Sequence, residues 1–419
     1  MNRPFEAAPY LKQVLVRDYA PLRNAMATFK RGLNIIIGKN GAGKTRFLTL
    51  VSELADLHEQ KRHFFGVGCR VVFGGVFGGE DETAVEFEQE AHDDLGIEPL
   101  NVVVRMPKQV KDTASDNYVD FLWEANAING FLALYSPILI RHGTPTSGLP
   151  ILDENAELLL EKRSVTLQLK GGPKRIDELS SQFVQAMLRT IVTLIRNGFT
   201  VLNGVPVPPM TAEAVRHHIA RLVGVYTERL NYSLPLYSPV QAVRCSDYFQ
   251  VLYQASQDRY TIKGLVLEYQ LNGEWLSFGT LSDGTKRLVY MVAEMLAPES
   301  VTLNKTTDEI VVADMKKIIF LEEPELGIHP AQLTKLLSLI REVSRENQII
   351  MTTHAPQVLD VLSEKELDRI IICDLNPQKG TQFHKLNAAK KKQAREYMKE
   401  VGFLSDYWRY SYLEETEAQ

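Results

Sequence analysis

Residues 32–57 read GLNIIIGKNGAGKTRFLTLVSELADL and join three elements in a fixed order. The apolar run at 33–37, rich in isoleucine, is typical of a buried strand. The apolar spacing after Lys44 is typical of a helix. Between them, residues 38–45 match the phosphate-binding pattern GxxxxGK[ST]. The segment therefore predicts a strand, a phosphate-binding loop and a helix.

This loop has the chemistry of a site for ATP and Mg²⁺. Glycines let backbone N–H groups turn toward phosphates, and the N-terminus of the following helix adds a partial positive charge. We expect Lys44 to reach the β- and γ-phosphates and take part in catalysis, and Thr45 to hold Mg²⁺. The residues of this loop expected to bind ATP are Gly38, Asn40, Gly41, Ala42, Gly43, Lys44, Thr45 and Arg46.

A second apolar run, at residues 318–321, is followed at once by Glu322 and Glu323. A buried strand that delivers acidic residues at its carboxyl end has the form of a Walker B motif. We expect Glu322 to bind Mg²⁺ through water, and Glu323 to orient or deprotonate the attacking water. The competing interpretation is an acidic helix cap before Pro324.

Two further motifs have both a structural and a functional interpretation. Ser282, Asp283 and Gly284 precede a helical pattern, where Ser282 is a good N-cap and Gly284 permits a close backbone approach. On its own this is an ordinary capped helix, but it lies 40 residues before Glu322. His354 ends an apolar run 31 residues after Glu323. A single histidine there is more often structural, yet this position suits a catalytic residue that senses the γ-phosphate.

The order of the remaining patterns predicts one α/β core that is interrupted by an insertion. Short apolar runs over 11–19 and 64–107 predict strands, while 117–240 is mainly helical in pattern, most clearly at 211–230. Strands return over 248–254 and 260–278, where Asn272-Gly273 predicts a hairpin. Strand and helix patterns then alternate to the end of the core.

Composition limits the class of protein. The 419 residues include 45% hydrophobic and 24% charged residues, as in globular proteins. A net charge of -5 argues against a strongly basic nucleic-acid coat but allows a local basic patch. Three dispersed cysteines suit a reducing cytoplasm. The N-terminus has no apolar signal region, and the most apolar run, 131–140, is about half of a membrane span. We therefore expect a cytoplasmic protein without a membrane contact.

The motifs, taken together, resemble those of the ABC-type ATPases. The residues that carry the resemblance are the loop 38–45, LSDGT at 281–285, EEPELGIHP at 322–330 and TTHAP at 352–356. The last two forms resemble the SMC-like and OLD-like branch, often grouped with the AAA ATPases. That branch includes the ATPases of the bacterial anti-phage systems Septu and PARIS. The resemblance covers residues 10–55 and 260–375.

The resemblance implies an α/β fold with an ABC-ATPase head. Its parts would be a P-loop core sheet, an antiparallel β subdomain and a large, mainly helical insertion. In that family two heads enclose two ATP molecules, so Ser282 and Gly284 would contact the γ-phosphate bound by a second copy. Asp283, between them, belongs to the same expected ATP-binding segment. Asp283 stands where the signature usually has glycine, Glu322 replaces the commoner aspartate, and no Q-loop glutamine can be placed. These departures lead us to expect slow ATP hydrolysis.

Four segments are expected from this comparison. The ATPase head would comprise residues 1–110 and 246–375, the helical insertion 111–245 would serve oligomerisation or a partner, and 376–419 would form a helical tail.

The basic run at 385–399 is either a solvated face or a contact for a phosphate backbone, so nucleic acid is a possible partner. Only 65 residues follow His354, which leaves little room for the nuclease domain of OLD proteins.

The leading functional hypothesis is a nucleotide-dependent switch that dimerises in anti-phage defence. It would form a head-to-head dimer or higher homo-oligomer and control a separate effector, such as a nuclease or toxin. The alternatives are a DNA-repair or chromosome-associated SMC-like ATPase, the ATPase subunit of a transporter, or a scaffold that binds ATP without hydrolysing it.

Overall fold

The computed structural model describes residues 9–55, 67–75, 82–88, 101–107, 118–121, 138–141, 157–161, 165–169, 172–176, 179, 181–198, 201–202, 205–206, 210–298, 300–304, 309–314 and 316–411. The chain divides into two units, which are described separately. The first unit takes Met1–His142, Lys316–Leu326 and Leu337–Gln419, and the second takes Gly143–Met315 and Gly327–Leu336.

The described strands are, in chain order, β1 (Tyr10–Tyr19), β2 (Leu22–Thr28), β3 (Leu33–Ile37), β4 (Gly68–Gly74), β5 (Glu82–Glu88), β6 (Asn101–Pro107), β7 (Tyr118–Phe121), β8 (Ile138–Ile140), β9 (Glu157–Glu161), β10 (Val165–Leu169), β11 (Gly172–Lys174), β12 (Val201–Leu202), β13 (Val205–Pro206), β14 (Ala242–Cys245), β15 (Gln250–Gln254), β16 (Arg259–Lys263), β17 (Leu267–Leu271), β18 (Glu274–Ser277), β19 (Ser300–Asn304), β20 (Glu309–Ala313), β21 (Ile318–Glu322), β22 (Gln348–Thr353), β23 (Ile370–Asn376) and β24 (Gly380–Lys385). The described α-helices are α1 (Lys44–Ala55), α2 (Gln182–Gly198), α3 (Ala212–Tyr237), α4 (Asp283–Leu296), α5 (Pro330–Val343), α6 (Ala388–Glu400) and α7 (Leu404–Ser411).

The first unit is built on one mixed sheet in the order β7-β6-β5-β4-β1-β2-β24-β23-β3-β22-β21-β8. The half from β7 to β2 is antiparallel. The half from β23 to β8 is parallel. All five residues of β3 and of β21 are buried, as expected for parallel strands that are covered on both faces.

Helix α1 covers the parallel strands with an apolar face. Phe47 is fully buried, and its ring centroid lies 4.6 Å from that of Phe383 on β24. The core around it draws on Leu48, Leu50, Val51, Ile36, Phe320, Ile350 and Ile371. This packing fixes the start of α1, and with it the loop that precedes the helix, against the sheet.

The second unit combines helices with small antiparallel sheets. Its largest sheet has the order β11-β10-β9-β16-β15, and a second has the order β14-β17-β18. Helices α2 and α3 meet where the rings of Phe183 and Tyr226 pack edge to face, with centroids 5.4 Å apart. Glu294 of α4 is buried and accepts hydrogen bonds from the Ser181 hydroxyl and from the N–H groups of Gln182 (3.0 Å) and Phe183 (3.4 Å). A carboxylate therefore caps the N-terminus of α2.

Most of the predicted elements are confirmed. They include β3, the helix after the loop, the β-rich stretch over β4–β6, the long helix α3, and the hairpin of β17 and β18. That hairpin turns at Asn272 (φ 50°) and Gly273 (φ 85°), as the Asn-Gly pair predicts.

The expectation that 117–240 is mainly helical is wrong for part of that range. Residues 118–121, 138–140, 157–161, 165–169 and 172–174 are strands, and helices occupy 182–198 and 212–237. In β9 burial alternates along the strand: Leu158 and Leu160 are buried, while their neighbours are only partly buried. β9 pairs with the neighbouring β10 and also with β16, about a hundred residues away, a pairing that local periodicity does not reveal. The two units also cut the chain at other positions than the four expected segments, whose boundaries stay a prediction.

Neither a disulfide nor a membrane-spanning helix is found in the described part of the chain. All three cysteines are described there, and none forms a disulfide. No helix among the described residues combines the length and apolar character needed to cross a bilayer.

One lysine of the sheet has a strongly shifted pKa. Burial, together with the charges of Lys30, Lys391 and Arg369 and against the opposing charge of Asp368, lowers the pKa of Lys385 to about 7. The Lys385 ammonium donates to the backbone carbonyl of Asp368 at 2.9 Å. Between pH 7 and the ordinary lysine pKa the unfolded chain therefore binds more protons than the folded chain. Stability from this group must rise with pH across that window.

We predict that Lys385→Met removes this rise. The stability of the wild type relative to Lys385→Met should increase from pH 7 to pH 10, by at most about 1.4 kcal/mol per pH unit. The measurement is urea unfolding of both proteins across that pH range, with the exposed Lys379→Met as the matched control. Parallel stability curves for the wild type and Lys385→Met would contradict the shifted pKa.

Candidate nucleotide-binding site

The register of three parallel strands brings the predicted motifs to one edge of the sheet. Ile36 of β3 lies beside Thr352 of β22, which lies beside Glu322 of β21. The phosphate-binding loop follows β3, Glu323 follows β21, and His354 follows β22. Because parallel strands present their carboxyl ends at the same edge, these three segments emerge together on the first unit.

The loop lies in close contact with β23 and β24, and this close contact requires glycine at positions 38 and 43. A Cβ on Gly38 would lie 2.0 Å from the carbonyl oxygen of Cys373. Gly43 has φ +104°, and a Cβ there would lie 2.4 Å from Thr381 Oγ1. That hydroxyl donates to the carbonyl of Ala42 at 2.7 Å. Thr381 therefore holds the loop backbone against β24.

Lys44 is held within its own loop. Its side chain is buried, and Nζ donates to the carbonyl oxygens of Gly38 (2.7 Å) and Lys39 (3.1 Å). The loop tip at Asn40 and Gly41 is exposed, as is Thr45. An ammonium group fixed beside an exposed, glycine-rich backbone suits the binding of a polyphosphate.

Arg46 lies beside an aromatic residue at the end of β1. Its guanidinium carbon is 4.2 Å from the centroid of the Tyr19 ring. Burial raises the pKa of Tyr19, and the positive charge of Arg46 opposes that rise. The contact fixes the first turn of α1 against β1.

The two predicted acids have different environments. Glu322 is the last residue of β21 and is 3% exposed. Glu323 has φ +43°, a conformation that side-chain-bearing residues rarely adopt, and its N–H donates to the carbonyl of Thr352 at 3.0 Å. Strain of this kind costs about 1–3 kcal/mol and clusters at functional sites. The turn at Glu323 directs its side chain toward the segment after β22.

Glu323 and His354 are in direct contact. Oε1 of Glu323 lies 2.9 Å from Nε2 of His354, and both side chains are largely shielded from solvent. Mg²⁺ is commonly held by one or two carboxylates or hydroxyls together with substrate phosphates and water. The buried carboxylate of Glu322 and the exposed hydroxyl of Thr45 fit that donor set.

Glu325 is a residue of this edge that the sequence interpretation missed. Its Oε1 accepts hydrogen bonds from the hydroxyl of Thr353 and from the N–H groups of His354 and Ala355. The available signal was the third carboxylate in Glu322-Glu323-Pro324-Glu325, but nothing in the sequence says which segment it contacts.

The predicted signature residues belong to the second unit. Ser282 is the N-cap of α4, and its Oγ accepts from the Thr285 N–H at 3.3 Å, as expected for a capped helix. Asp283 has an 83% exposed side chain. A Cβ on Gly284 would lie 2.8 Å from the carbonyl oxygen of Gly327, so the close approach predicted there is present. Ser282 and Asp283 thus form an exposed helix start.

The basic run at 385–399 makes contacts within its own unit. Lys391 pairs with Asp368, Lys399 Nζ lies 3.8 Å from Glu364, and the Arg395 guanidinium donates to a backbone carbonyl at 3.2 Å. These contacts account for part of the basic charge of α6. A contact with nucleic acid stays a prediction.

A family model and a solved structure resemble this chain. Residues 173–360 match the family model described as "AAA domain, putative AbiEii toxin, Type IV TA system". The crystal structure of the SmcHead bound to the C-winged helix domain of ScpA aligns over 91% of this chain and 99% of that chain, with a TM-score of 0.51 at 13% identity. Residues 173–360 thus resemble an AAA domain, and the chain has the fold of an Smc head. The predicted resemblance to SMC-like, ABC-type ATPases and the predicted α/β head are therefore confirmed.

Two curated proteins match shorter parts of this chain. It is 31% identical over 96 residues to the Septu protein PtuA from Bacillus thuringiensis, over 23% of this chain and 24% of PtuA. It is 30% identical over 63 residues to ABC transporter A family member 8 from Dictyostelium discoideum, over 14% of this chain and 8% of that protein. The chain thus spans about a quarter of the first relative and less than a tenth of the second.

We predict that Gly43→Ala impairs nucleotide binding far more than Gly41→Ala. Both residues have a positive φ, but a Cβ at Gly43 meets Thr381, whereas one at Gly41 meets nothing within 4 Å. Gly41→Ala should therefore carry only backbone strain, of about 1–2 kcal/mol. The measurement is titration of each variant with a fluorescent ATP analogue. Equal losses of affinity in the two variants would contradict the close seating of the loop on β24.

Proposed function

We propose that this SMC-like head binds and hydrolyses ATP at the edge formed by β3, β21 and β22. The observation that carries the proposal is the 2.9 Å contact between Glu323 and His354. These residues follow β21 and β22, and the phosphate-binding loop follows β3, which pairs with β22. A carboxylate held by a second polar group suits the activation of water for phosphoryl transfer. The AAA-family match supports the same chemistry.

Each residue of the edge has a role in this proposal. Lys44 and the backbone N–H groups of the loop would bind the phosphates, and the Thr45 hydroxyl and Glu322 carboxylate would hold Mg²⁺. When bound, Mg²⁺ neutralises negative charge on the phosphate oxygens. Glu323 accepts the proton of the attacking water. His354 orients the Glu323 carboxylate and presents its imidazole toward the γ-phosphate.

We further propose that a second copy completes the site. Ser282 and Asp283 are exposed at the start of α4, and a helix N-terminus attracts anions. In a head-to-head dimer this surface would face the γ-phosphate bound by the other copy. The carboxylate of Asp283 would repel that phosphate, which supports slow hydrolysis.

The biological role proposed is control of a separate effector, such as a nuclease, in anti-phage defence. Its support is the identity shared with PtuA. The dimer would hold the effector while ATP is bound and release or activate it when the nucleotide state changes.

We predict that Glu323→Gln lowers phosphate release at least about 100-fold while ATP binding persists. The amide cannot accept a proton, and general-base catalysis contributes about this much or more.

The Glu323→Gln variant should accumulate as an ATP-dependent dimer in analytical ultracentrifugation. Ser282→Arg should block that dimer, and Lys44→Ala should lose both binding and dimerisation. Unchanged phosphate release in Glu323→Gln would instead favour a scaffold that only binds ATP.

We also predict that the Glu323→Gln protein retains its effector. Affinity purification from the native host with Mg-ATP, followed by mass spectrometry, should recover a stoichiometric nuclease-like protein with Glu323→Gln. The matched Lys44→Ala protein should recover much less of it. Recovery of chromosomal DNA-processing proteins would point to the DNA-repair alternative, and recovery of a membrane subunit to the transporter alternative. Either result would contradict the defence role.

A further inference from the structure

Three donors converge on one oxygen atom of Glu325. Oε1 lies 2.6 Å from Thr353 Oγ1, 3.1 Å from the His354 nitrogen and 3.3 Å from the Ala355 nitrogen. Glu325 follows β21 and the three donors follow or end β22, so one side chain joins two segments that are 28–30 residues apart in the chain. All four residues belong to the first unit.

The bound segment is the one that carries the candidate catalytic histidine. Nε2 of His354 contacts Glu323 Oε1 at 2.9 Å. Glu325 therefore holds the backbone on which His354 sits, while Glu323 meets the imidazole of the same residue. A hydrogen bond from the Ala355 N–H to Thr353 Oγ1, at 3.0 Å, closes the turn internally. Charge-assisted hydrogen bonds to a carboxylate are roughly twice as strong as neutral ones, which makes Glu325 the stronger anchor.

We propose that Glu325 is a positioning residue for hydrolysis, which sets the backbone of residues 353–355 so that His354 meets Glu323. This inference rests on the proposed ATPase function and deepens it. Glu325 acts through His354, because its bonding oxygen is engaged by the backbone and hydroxyl of that segment. Its Oε2 is buried and has no hydrogen-bond partner among the described residues.

The proposal separates catalysis from ATP binding. Cys373 on β23 and Thr381 on β24 donate hydrogen bonds to the carbonyl of Ala42 in the phosphate-binding loop. Glu325 makes none of them. Loss of Glu325 should therefore lower kcat and leave the affinity for ATP close to that of the wild type. A displacement of a catalytic group by about 1 Å can cost about 100-fold in rate, so we expect a loss of at least tenfold in kcat.

The nature of the acceptor defines a graded series. Glu325→Ala removes the acceptor. Glu325→Asp keeps the charge but is one methylene shorter, so it cannot reach all three donors. Glu325→Gln keeps an acceptor oxygen of the same reach, although a weaker one, and should lose less rate than either. A role in overall packing alone would not produce this order.

The test is a double-mutant cycle with His354→Ala. Steady-state phosphate release is measured for the wild type, Glu325→Ala, His354→Ala and the double variant, together with the affinity for a fluorescent ATP analogue. We expect Glu325→Ala to lower kcat at least tenfold with affinity changed less than about twofold. In the His354→Ala background the same substitution should have little further effect, because its route of action has been removed. If Glu325→Ala does not fold, Glu325→Asp takes its place in the cycle.

The outcomes distinguish this inference from the function on which it rests. Equal losses from Glu325→Ala in both backgrounds, or a loss of affinity in place of kcat, would overturn the positioning role. An active wild type with an equally active Glu325→Ala would overturn it as well and leave the ATPase proposal intact. A wild type that releases no more phosphate than Lys44→Ala would overturn the ATPase proposal and this inference together.

Discussion

Parallel pairing of β3, β22 and β21 is the constraint on which the candidate site depends. The register aligns Ile36, Thr352 and Glu322 across adjacent strands. With these three residues level, the loop after Ile37, the turn at Glu323 and the segment at His354 must emerge side by side. A shift of one residue in any strand would move its side chains to the opposite face and would separate Glu323 from His354.

The edge formed by β3, β21 and β22 contains buried charged groups and a strained backbone, both of which usually destabilise a fold. Lys44 and Glu322 are buried, and burying a charged group is costly unless polar groups compensate. Two carbonyl oxygens of the loop provide that compensation for Lys44. Glu323 adopts a positive φ, which the bond from its N–H to Thr352 and the contact with His354 help to hold. Groups held in this way need little rearrangement before a reaction, which is the property that catalysis by charged residues requires.

The elements that the sequence predicted correctly are those determined by residues close together in the chain. The isoleucine run, the glycine loop and the helix after Lys44 are contiguous, so their order could be read from the chain alone. The same holds for the Asn272-Gly273 turn and for Ser282 as a helix cap. Strands β9 to β11 were missed because short apolar runs fit either a strand or a helix. In addition, β9 joins its sheet through β16, which is distant in sequence. Glu325 was missed for a related reason: its role depends on three donors that lie 28–30 residues away.

The most direct test of the central claim is a structure of the Glu323→Gln protein with Mg-ATP. The account predicts triphosphate against residues 38–45, Mg²⁺ near Thr45 and Glu322, His354 facing the γ-phosphate, and Ser282 of a second copy completing the site. Nucleotide bound away from the carboxyl ends of β3, β21 and β22, or γ-phosphate out of reach of both Lys44 and His354, would contradict it.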